Sequence, residues 1–225
     1  MNTGKPTVIM GIPYPGGQLW DQMVFGLLAN LCDVQAVLWE AGAILQFNRN
    51  NLVKRFMGSK AEWFLAMDSD MVLPSGTVPH LLSCQQPMVS ALYSARGNAA
   101  LPIAKCKDKE GVYQPLTRGL VEAEKLVQVN AVGLGCCLIH RSIFEQVPYP
   151  WFCITELKDE KYNKWRRWGE DVLFCQAVET QGISIHVDCG WKVGHLDSWA
   201  MYTDFHPIIR DYSDEKPEQA LSKVH

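Results

Sequence analysis

Short apolar runs alternate with segments of helical period through the first hundred residues of the chain. Runs typical of β-strands lie at residues 7–10, 34–38, 63–67 and 88–93. Between these runs the apolar positions recur at helical spacing, in residues 19–31, 49–57 and 74–84. Because strands that alternate with helices usually pair in parallel, the pattern predicts an α/β, Rossmann-like fold with a mostly parallel sheet flanked by helices.

Glycine, proline and charged residues mark the breaks in this pattern. Residues 11–17 are rich in glycine and proline and are predicted to form a loop after the first strand. The apolar stretch 127–139 contains Gly133 and Gly135, which predict a point where the backbone bends or approaches another group closely. The charged segment 101–120 is predicted to be a surface hairpin or an insertion.

The last part of the pattern predicts one more helix and one more strand. Residues 170–181 have helical period and end at Gly182, a typical helix stop. Apolar and polar residues then alternate over 183–187, as in a half-buried strand. We expect one domain over residues 1–210 and a charged, poorly packed tail over 211–225.

Composition narrows the class of protein. The chain has 225 residues, of which 48% are hydrophobic, which is enough for a full core. Its formal net charge of -3 excludes the protein-wide basic field of a nucleic-acid coat protein. The eight cysteines include no C-x-x-C pair, residues 1–10 do not resemble a signal peptide, and no apolar run reaches the ~20 residues that span a membrane. We therefore expect a cytoplasmic protein.

Two carboxylates, Asp68 and Asp70, follow the apolar run 63–67 directly. The ligand crevice of an open α/β sheet lies at the carboxyl ends of its strands, so a D-x-D turn there can bind a divalent cation that also binds substrate phosphates. An acidic turn that caps a helix is the more common explanation of this tripeptide when it stands alone.

Two further groups could converge with this turn. Glu170 and Asp171 open the predicted helix, although such pairs often only interact with the helix dipole. His195 follows a predicted strand, although a single histidine is more often structural. The histidines that form the background for this judgement are His80, His140, His186 and His206.

Taken in order, these motifs resemble those of the GT-A fold glycosyltransferases, in particular small family 2-like enzymes such as those encoded by phages. The resemblance covers nearly all of the chain before Leu196. The matching segments are residues 9–13, 49–50, 64–71, 132–139, 168–175 and 193–195.

The resemblance implies a binding site for a nucleotide-sugar donor, with UDP as the expected nucleotide. Pro13 and Tyr14 would hold the base and the ribose, and Arg49 would lie near the nucleotide. Asp68 would face the donor, and Asp70 would bind it through a metal ion.

The resemblance also implies a metal site and a catalytic base. Asp70 and His195, with Asp68 beside them, would bind Mn²⁺ or Mg²⁺, and an imidazole ligand favours Mn²⁺. Asp171 or Glu170 would lie near the acceptor. In inverting relatives the acidic residue at this position is the general base, whereas retaining relatives have no such clear base.

A basic and aromatic segment comes immediately before the helix at 170–181. Aromatic rings can stack on sugars or unpaired bases, and cations bind phosphates, so this composition suits a polyanionic acceptor. A solvated loop whose aromatic side chains enter the core explains the same composition. The candidate acceptor residues are Lys161, Lys164, Trp165, Arg166, Arg167 and Trp168.

These features together predict a metal-dependent glycosyltransferase that transfers a sugar from a nucleotide-sugar to a hydroxyl group. Some similar phage enzymes modify hydroxymethylated pyrimidines, so the preferred acceptor is 5-hydroxymethylcytosine in DNA, exposed in the major groove or flipped from the stack. The alternatives are a surface glycan as the acceptor, a nucleotidyltransferase, and a non-catalytic module that binds sugar or nucleic acid. The expected partners are the donor and DNA, with no membrane, and the oligomeric state stays open.

Overall fold

The computed structural model describes residues 4–17, 19–95, 98–123, 125–159 and 164–196. The predicted charged tail at 211–225 lies outside these ranges. The described helices, in chain order, are α1 Asp21–Leu28, α2 Leu45–Met57, α3 Thr77–Ser83, α4 Arg118–Ala123, α5 Arg141–Gln146 and α6 Glu170–Thr180. A short 3-10 helix, Leu31–Asp33, follows α1.

The described strands form one large sheet and four two-stranded ribbons. In chain order they are β1 Val8–Tyr14, β2 Ala36–Ala41, β3 Trp63–Met67, β4 Met71–Val72, β5 Met88–Leu92, β6 Ser94–Ala95, β7 Asn98–Pro102, β8 Lys105–Lys107, β9 Tyr113–Pro115, β10 Leu126–Val129, β11 Cys136–His140, β12 Thr155–Asp159, β13 Lys164–Trp168, β14 Ile185–Lys192 and β15 Gly194–His195.

The central sheet has seven strands in the order β10-β14-β5-β11-β3-β1-β2. The β1–β2, β1–β3 and β5–β14 pairs are parallel. Strand β11 runs antiparallel to both β3 and β5, and β10 runs antiparallel to β14. Five of the seven strands therefore point in the same direction, which confirms the predicted α/β fold with a mostly parallel sheet.

Two apolar layers cover the two faces of this sheet because successive side chains of a strand point to opposite faces. In β3, Phe64 belongs to one layer and Leu65 to the other. Helices α2, α5 and α6 pack on the Phe64 side, where Phe56, Phe144 and Phe174 are buried. Helices α1 and α3 supply the opposite layer. No helix in the described ranges has both the length and the apolar character that crossing a membrane requires.

The predicted loop at residues 11–17 is wrong in its first half. Strand β1 continues to Tyr14 and pairs in parallel with β2 along its whole C-terminal part. Its pairing with β3 ends at Gly11, so Pro13 has a neighbouring strand on one side only, where a missing N–H is tolerated. Gly11 serves packing rather than turning, because a Cβ there would lie 2.3 Å from the Phe64 ring.

The other local predictions agree with the structure, with shifted boundaries. The stretch 127–139 divides into β10 and β11, which lie far apart in the sheet. The helix predicted from residue 49 begins at Leu45. Segment 101–120 contains the β8–β9 hairpin, and Gly182, with φ +73°, ends the turn after α6.

Candidate active site

A cleft of about 190 Å³ opens where β1 and β3 end and α2 begins. It lies at the carboxyl ends of parallel strands, the place where open α/β sheets bind ligands. The cleft brings together three of the residues predicted to bind donor or metal, Pro13, Asp68 and Asp70. The complete lining is Pro13, Pro15, Gly42, Ala43, Leu45, Asn48, Asp68, Ser69 and Asp70.

The D-x-D turn follows β3, a strand whose last four residues are buried. The backbone N–H of Asp68 donates to the carbonyl of Gly135 at 3.1 Å, and the N–H of Met71 donates to the carbonyl of Asp68 at 3.2 Å. These bonds fix the turn between β3 and the short strand β4. The two carboxylates are therefore held by a rigid part of the core.

Arg49 connects this turn to the start of α6. Its Nη2 donates to Asp68 Oδ1 at 2.8 Å, and its Nε donates to Glu170 Oε1 at 3.2 Å. Arg49 is only 5% exposed. Burial alone would lower the pKa of the guanidinium, but the negative charges of Asp68 and Glu170 outweigh burial and raise that pKa. Arg49 is therefore a permanent buried cation that connects Asp68 to Glu170, which lies 121 positions from Arg49 in the sequence.

Asp70 and His195 meet across two short strands. His195 in β15 pairs with Met71 in β4, and the N–H of Leu196 donates to the carbonyl of Asp70 at 2.8 Å. His195 Nε2 lies 3.3 Å from Asp70 Oδ2, and His195 Nδ1 lies 2.8 Å from the carbonyl of Ser94. The structure thus brings together the two residues predicted to be the principal metal ligands.

The hydrogen bonds of His195 assign the state of its ring. A carbonyl can only accept, so Nδ1 carries a proton and donates to Ser94. A bare Nε2 and a carboxylate oxygen are both acceptors, so a proton or a cation between them would join the two groups. A backbone carbonyl that fixes the tautomer of an imidazole is also the usual support of a metal-binding histidine. The pair fits a divalent cation with nitrogen and oxygen ligands.

Sequence reasoning did not single out Tyr93. Its buried hydroxyl accepts a hydrogen bond from the N–H of Gly135 at 2.8 Å, and its ring lies edge-on to His195 with centroids 5.7 Å apart. Burial, followed by the charge of Asp68, raises the pKa of the phenol well above its usual value. A Cβ at Gly133 or Gly135 would lie 2.3 Å or 2.8 Å from this hydroxyl, which confirms the predicted close approach.

The other donor and base residues lie around the cleft in different ways. Tyr14 ends β1, donates its hydroxyl hydrogen to the carbonyl of Gly17 and packs edge-on against Trp39. Asp171 lies in the first turn of α6, where its Oδ1 accepts from the N–H of Val172 at 2.7 Å. Glu170 is buried and hydrogen-bonded to Arg49.

The basic segment forms one strand of a hairpin. Strand β13 pairs antiparallel with β12 and ends one residue before Gly169. The ring of Trp168 lies edge-on to Tyr113, with centroids 5.7 Å apart. Lys161 lies outside the described residues. For Lys164, Trp165, Arg166 and Arg167 the structure describes the backbone, so their role at an acceptor stays a prediction.

The sequence matches no protein-family model, and the search of curated proteins gives no match. Solved structures match in fold. The crystal structure of A197 from STIV has a TM-score of 0.58 and 18% identity, and the match covers 84% of this chain and 85% of that chain. The crystal structure of GalNAc-T7 with UDP, GalNAc and Mn²⁺ has a TM-score of 0.54 and 11% identity, over 86% of this chain and 44% of that chain.

These comparisons establish the fold of the chain, which is the α/β fold of GT-A type. The chain spans less than half of the length of GalNAc-T7.

Proposed function

We propose that this chain is a metal-dependent glycosyltransferase that moves a sugar from a nucleotide-sugar, with UDP as the expected nucleotide, to a hydroxyl acceptor. The observation that carries the proposal is the Asp70–His195 pair beside the D-x-D turn, at the carboxyl edge of the sheet. The likeness in fold to GalNAc-T7, whose structure holds UDP and Mn²⁺, supports the same assignment.

The donor site is proposed in the cleft between β1, β3 and α2. Pro13, which lines the cleft, would offer an apolar wall for the base, and Tyr14, the next residue of the same strand, would lie near the ribose. Asp70 and His195, with Asp68 beside them, would hold Mn²⁺ or Mg²⁺. When bound, such a cation neutralises the charge that develops on the leaving diphosphate.

Arg49 has a positioning role in this proposal. Its hydrogen bonds to Asp68 and Glu170 hold the D-x-D turn at a fixed distance from the start of α6. The residues proposed to bind the donor and those proposed to lie near the acceptor therefore keep a fixed spacing. This spacing favours attack by an aligned acceptor hydroxyl.

Asp171 is the proposed general base. It accepts the proton of the acceptor hydroxyl as that oxygen forms a bond to the anomeric carbon and the bond from that carbon to the diphosphate breaks. Asp171 lies in the first turn of α6, directly after the segment that is proposed to bind the acceptor. Glu170 suits the role less, because its Oε1 already accepts a hydrogen bond from buried Arg49.

The proposed acceptor is 5-hydroxymethylcytosine in DNA. The composition of β13, rich in lysine, arginine and tryptophan and adjacent to α6, supports a polyanionic acceptor. A carbohydrate acceptor is the competing choice, because the same aromatic residues can stack on a sugar ring.

Mass spectrometry of donor breakdown tests the reaction class. The protein is incubated with UDP-, GDP- and dTDP-sugars and Mn²⁺, and with plain duplexes, hydroxymethylated duplexes or glycans as acceptors. We expect acceptor-dependent release of UDP and addition of a sugar mass to the hydroxymethylated duplex. Addition of sugar to the glycan alone would indicate a carbohydrate acceptor instead of DNA. Intact donors in every mixture would contradict the proposal that the protein is a glycosyltransferase.

Salt-dependent filter binding tests the acceptor separately. Changing two cations of the basic segment, Arg166→Gln and Arg167→Gln, should weaken DNA binding and flatten its logarithmic salt dependence by roughly one unit for each lost phosphate contact. Donor affinity should stay at the parent value. DNA binding that is absent, or insensitive to salt, would contradict a DNA acceptor.

A further inference from the structure

A second group of metal-ligating side chains lies on α3 and β14, among residues that have no role in the proposed transfer reaction. His80 lies in α3, Cys84 follows its last residue, and Asp188 belongs to β14. Their ligand atoms all lie within 4.8 Å of one another. His80 Nε2 is 2.6 Å from Asp188 Oδ2, and Cys84 Sγ is 3.4 Å from the same oxygen.

The spacing of these atoms is close to that of a tetrahedral metal site. Nitrogen, oxygen and sulfur ligands of Zn²⁺ are separated by roughly 3.3–3.6 Å when the bonds have their usual lengths. The Sγ to Oδ2 distance already agrees with this range, and the His80 to Asp188 distance would open by less than about 1 Å.

The carboxylate of Asp188 is held in the orientation that a ligand needs. Its Oδ1 accepts hydrogen bonds from the N–H groups of Gly190 at 2.8 Å and Trp191 at 3.1 Å. These bonds turn Oδ2 toward His80 and Cys84. Backbone donors that fix the second oxygen of a carboxylate are the typical support of a metal ligand.

The imidazole of His80 is fixed by a different contact. Its ring stacks on the indole of Trp191 with centroids 4.0 Å apart and an interplanar angle of 18°. Trp191 is itself anchored, because its Nε1 donates to Thr77 Oγ1 at 3.0 Å. The His80 side chain is 33% exposed, so a cation can reach the cluster from solvent.

We propose that His80, Cys84 and Asp188 form a site for a borderline divalent cation of the Zn²⁺ type, with water as the fourth ligand. A thiolate ligand favours Zn²⁺ over Mn²⁺ and Mg²⁺, which prefer oxygen ligands. The site is thus separate in chemistry from Asp70 and His195. Asp188 lies on the strand that leads to His195, so the cation would also stiffen the segment that carries that residue.

Cobalt spectroscopy of the full chain tests the site. Co²⁺ bound to a thiolate gives a charge-transfer band that nitrogen and oxygen ligands do not give, so Asp70 and His195 do not contribute to it. In the wild type we expect the band to saturate at one equivalent of Co²⁺ and to disappear when Zn²⁺ displaces the cobalt. The band should be lost in Cys84→Ser. In His80→Ala the affinity for Co²⁺ should fall at least tenfold. The matched control, Cys32→Ser, changes an exposed cysteine and should keep the full band.

A second measurement needs no variant of the cluster. Zn²⁺ should protect Cys84 from iodoacetamide, as measured by peptide mass spectrometry, while the exposed thiols of Cys32 and Cys153 stay reactive. A hydrogen-bonded cluster without a cation gives no cobalt band and no protection of Cys84. That result, or a band that survives in Cys84→Ser, would overturn the proposal.

Discussion

Two carboxylate–histidine pairs in this molecule have similar geometry and different surroundings. Asp70 and His195 are 3.3 Å apart and line the carboxyl edge of the sheet, whereas Asp188 and His80 are 2.6 Å apart and join α3 to β14. The first pair has Asp68, the other carboxylate of the D-x-D turn, beside it, and the second pair has the thiol of Cys84. This additional side chain, rather than the pair itself, therefore decides which class of cation each location suits.

The two pairs also differ in how the imidazole is held. A backbone carbonyl fixes the tautomer of His195, whereas an aromatic ring fixes the plane of His80. The carbonyl of Ser94 therefore sets which nitrogen of His195 faces Asp70, and the indole of Trp191 sets the plane in which the ring of His80 faces Asp188.

The largest expected effect concerns the buried cation beside the first pair. Arg49→Met should lower the free energy of unfolding by roughly 3–5 kcal/mol, because it leaves Asp68 and Glu170 without their buried partner. Urea unfolding measures this loss. The control, Arg55→Met, removes an exposed ion pair with Glu40 and should cost less than about 1 kcal/mol. Equal losses in the two variants would show that Arg49 holds nothing together.

The next effect separates the two pairs by activity. Asp70→Ala and His195→Ala should each reduce sugar transfer roughly 10²–10³-fold, because each removes charge stabilisation of the leaving diphosphate. Release of UDP in the presence of Mn²⁺ measures the loss, and a chelator should abolish transfer by the parent enzyme. Both variants should keep the Co²⁺–thiolate band of the second pair. Full activity in metal-free buffer would contradict the role of the first pair.

The next prediction concerns Asp171, the proposed proton acceptor. It tests the reaction that is proposed near the first pair, because no reaction is proposed at the second pair. Asp171→Asn should lower kcat roughly 100-fold or more while the affinity for the donor stays unchanged. Single-turnover transfer and equilibrium donor binding measure the two quantities. A kcat within about tenfold of the parent would assign the role to Glu170 or to a retaining mechanism without this base.

The smallest effect concerns the support of the second pair. Thr77→Val removes the hydrogen bond that anchors Trp191 and should weaken Zn²⁺ binding roughly tenfold, because an outer support of a ligand typically contributes that much. Competition with Co²⁺ measures the affinity. Thr180→Val, at the exposed end of α6, is the matched control and should keep the parent affinity. Unchanged affinity in Thr77→Val would show that the stacked indole does not orient His80.

The local pattern of apolar and polar residues was sufficient to predict most of the helices and strands and part of the candidate site. The D-x-D turn was predictable because a fully apolar run ends directly before it. The contact of Arg49 with Glu170 and that of His80 with Asp188 were not, because each joins residues more than a hundred positions apart in the sequence. His80 was assigned to the structural background because a single histidine is more often structural.

The errors have the same physical origin. Residues 11–14 read as a loop because glycine and proline disfavour isolated strands, whereas pairing with β2 supplies the hydrogen bonds that local propensity ignores. Tyr93 read as the end of a buried strand. Its importance follows from contacts with Gly135 and His195, which only the folded chain brings together.

The pairing of β4 with β15 has a consequence for the order of folding. Each strand contributes two residues, yet their contact closes a chain segment of more than a hundred residues between Met71 and His195. Closing so long a loop has a large entropic cost, and so short a ribbon cannot offset it before the central sheet has formed. The Asp70–His195 pair is therefore assembled late. A chain cut before residue 194 retains all seven strands of the central sheet and lacks the histidine of this pair.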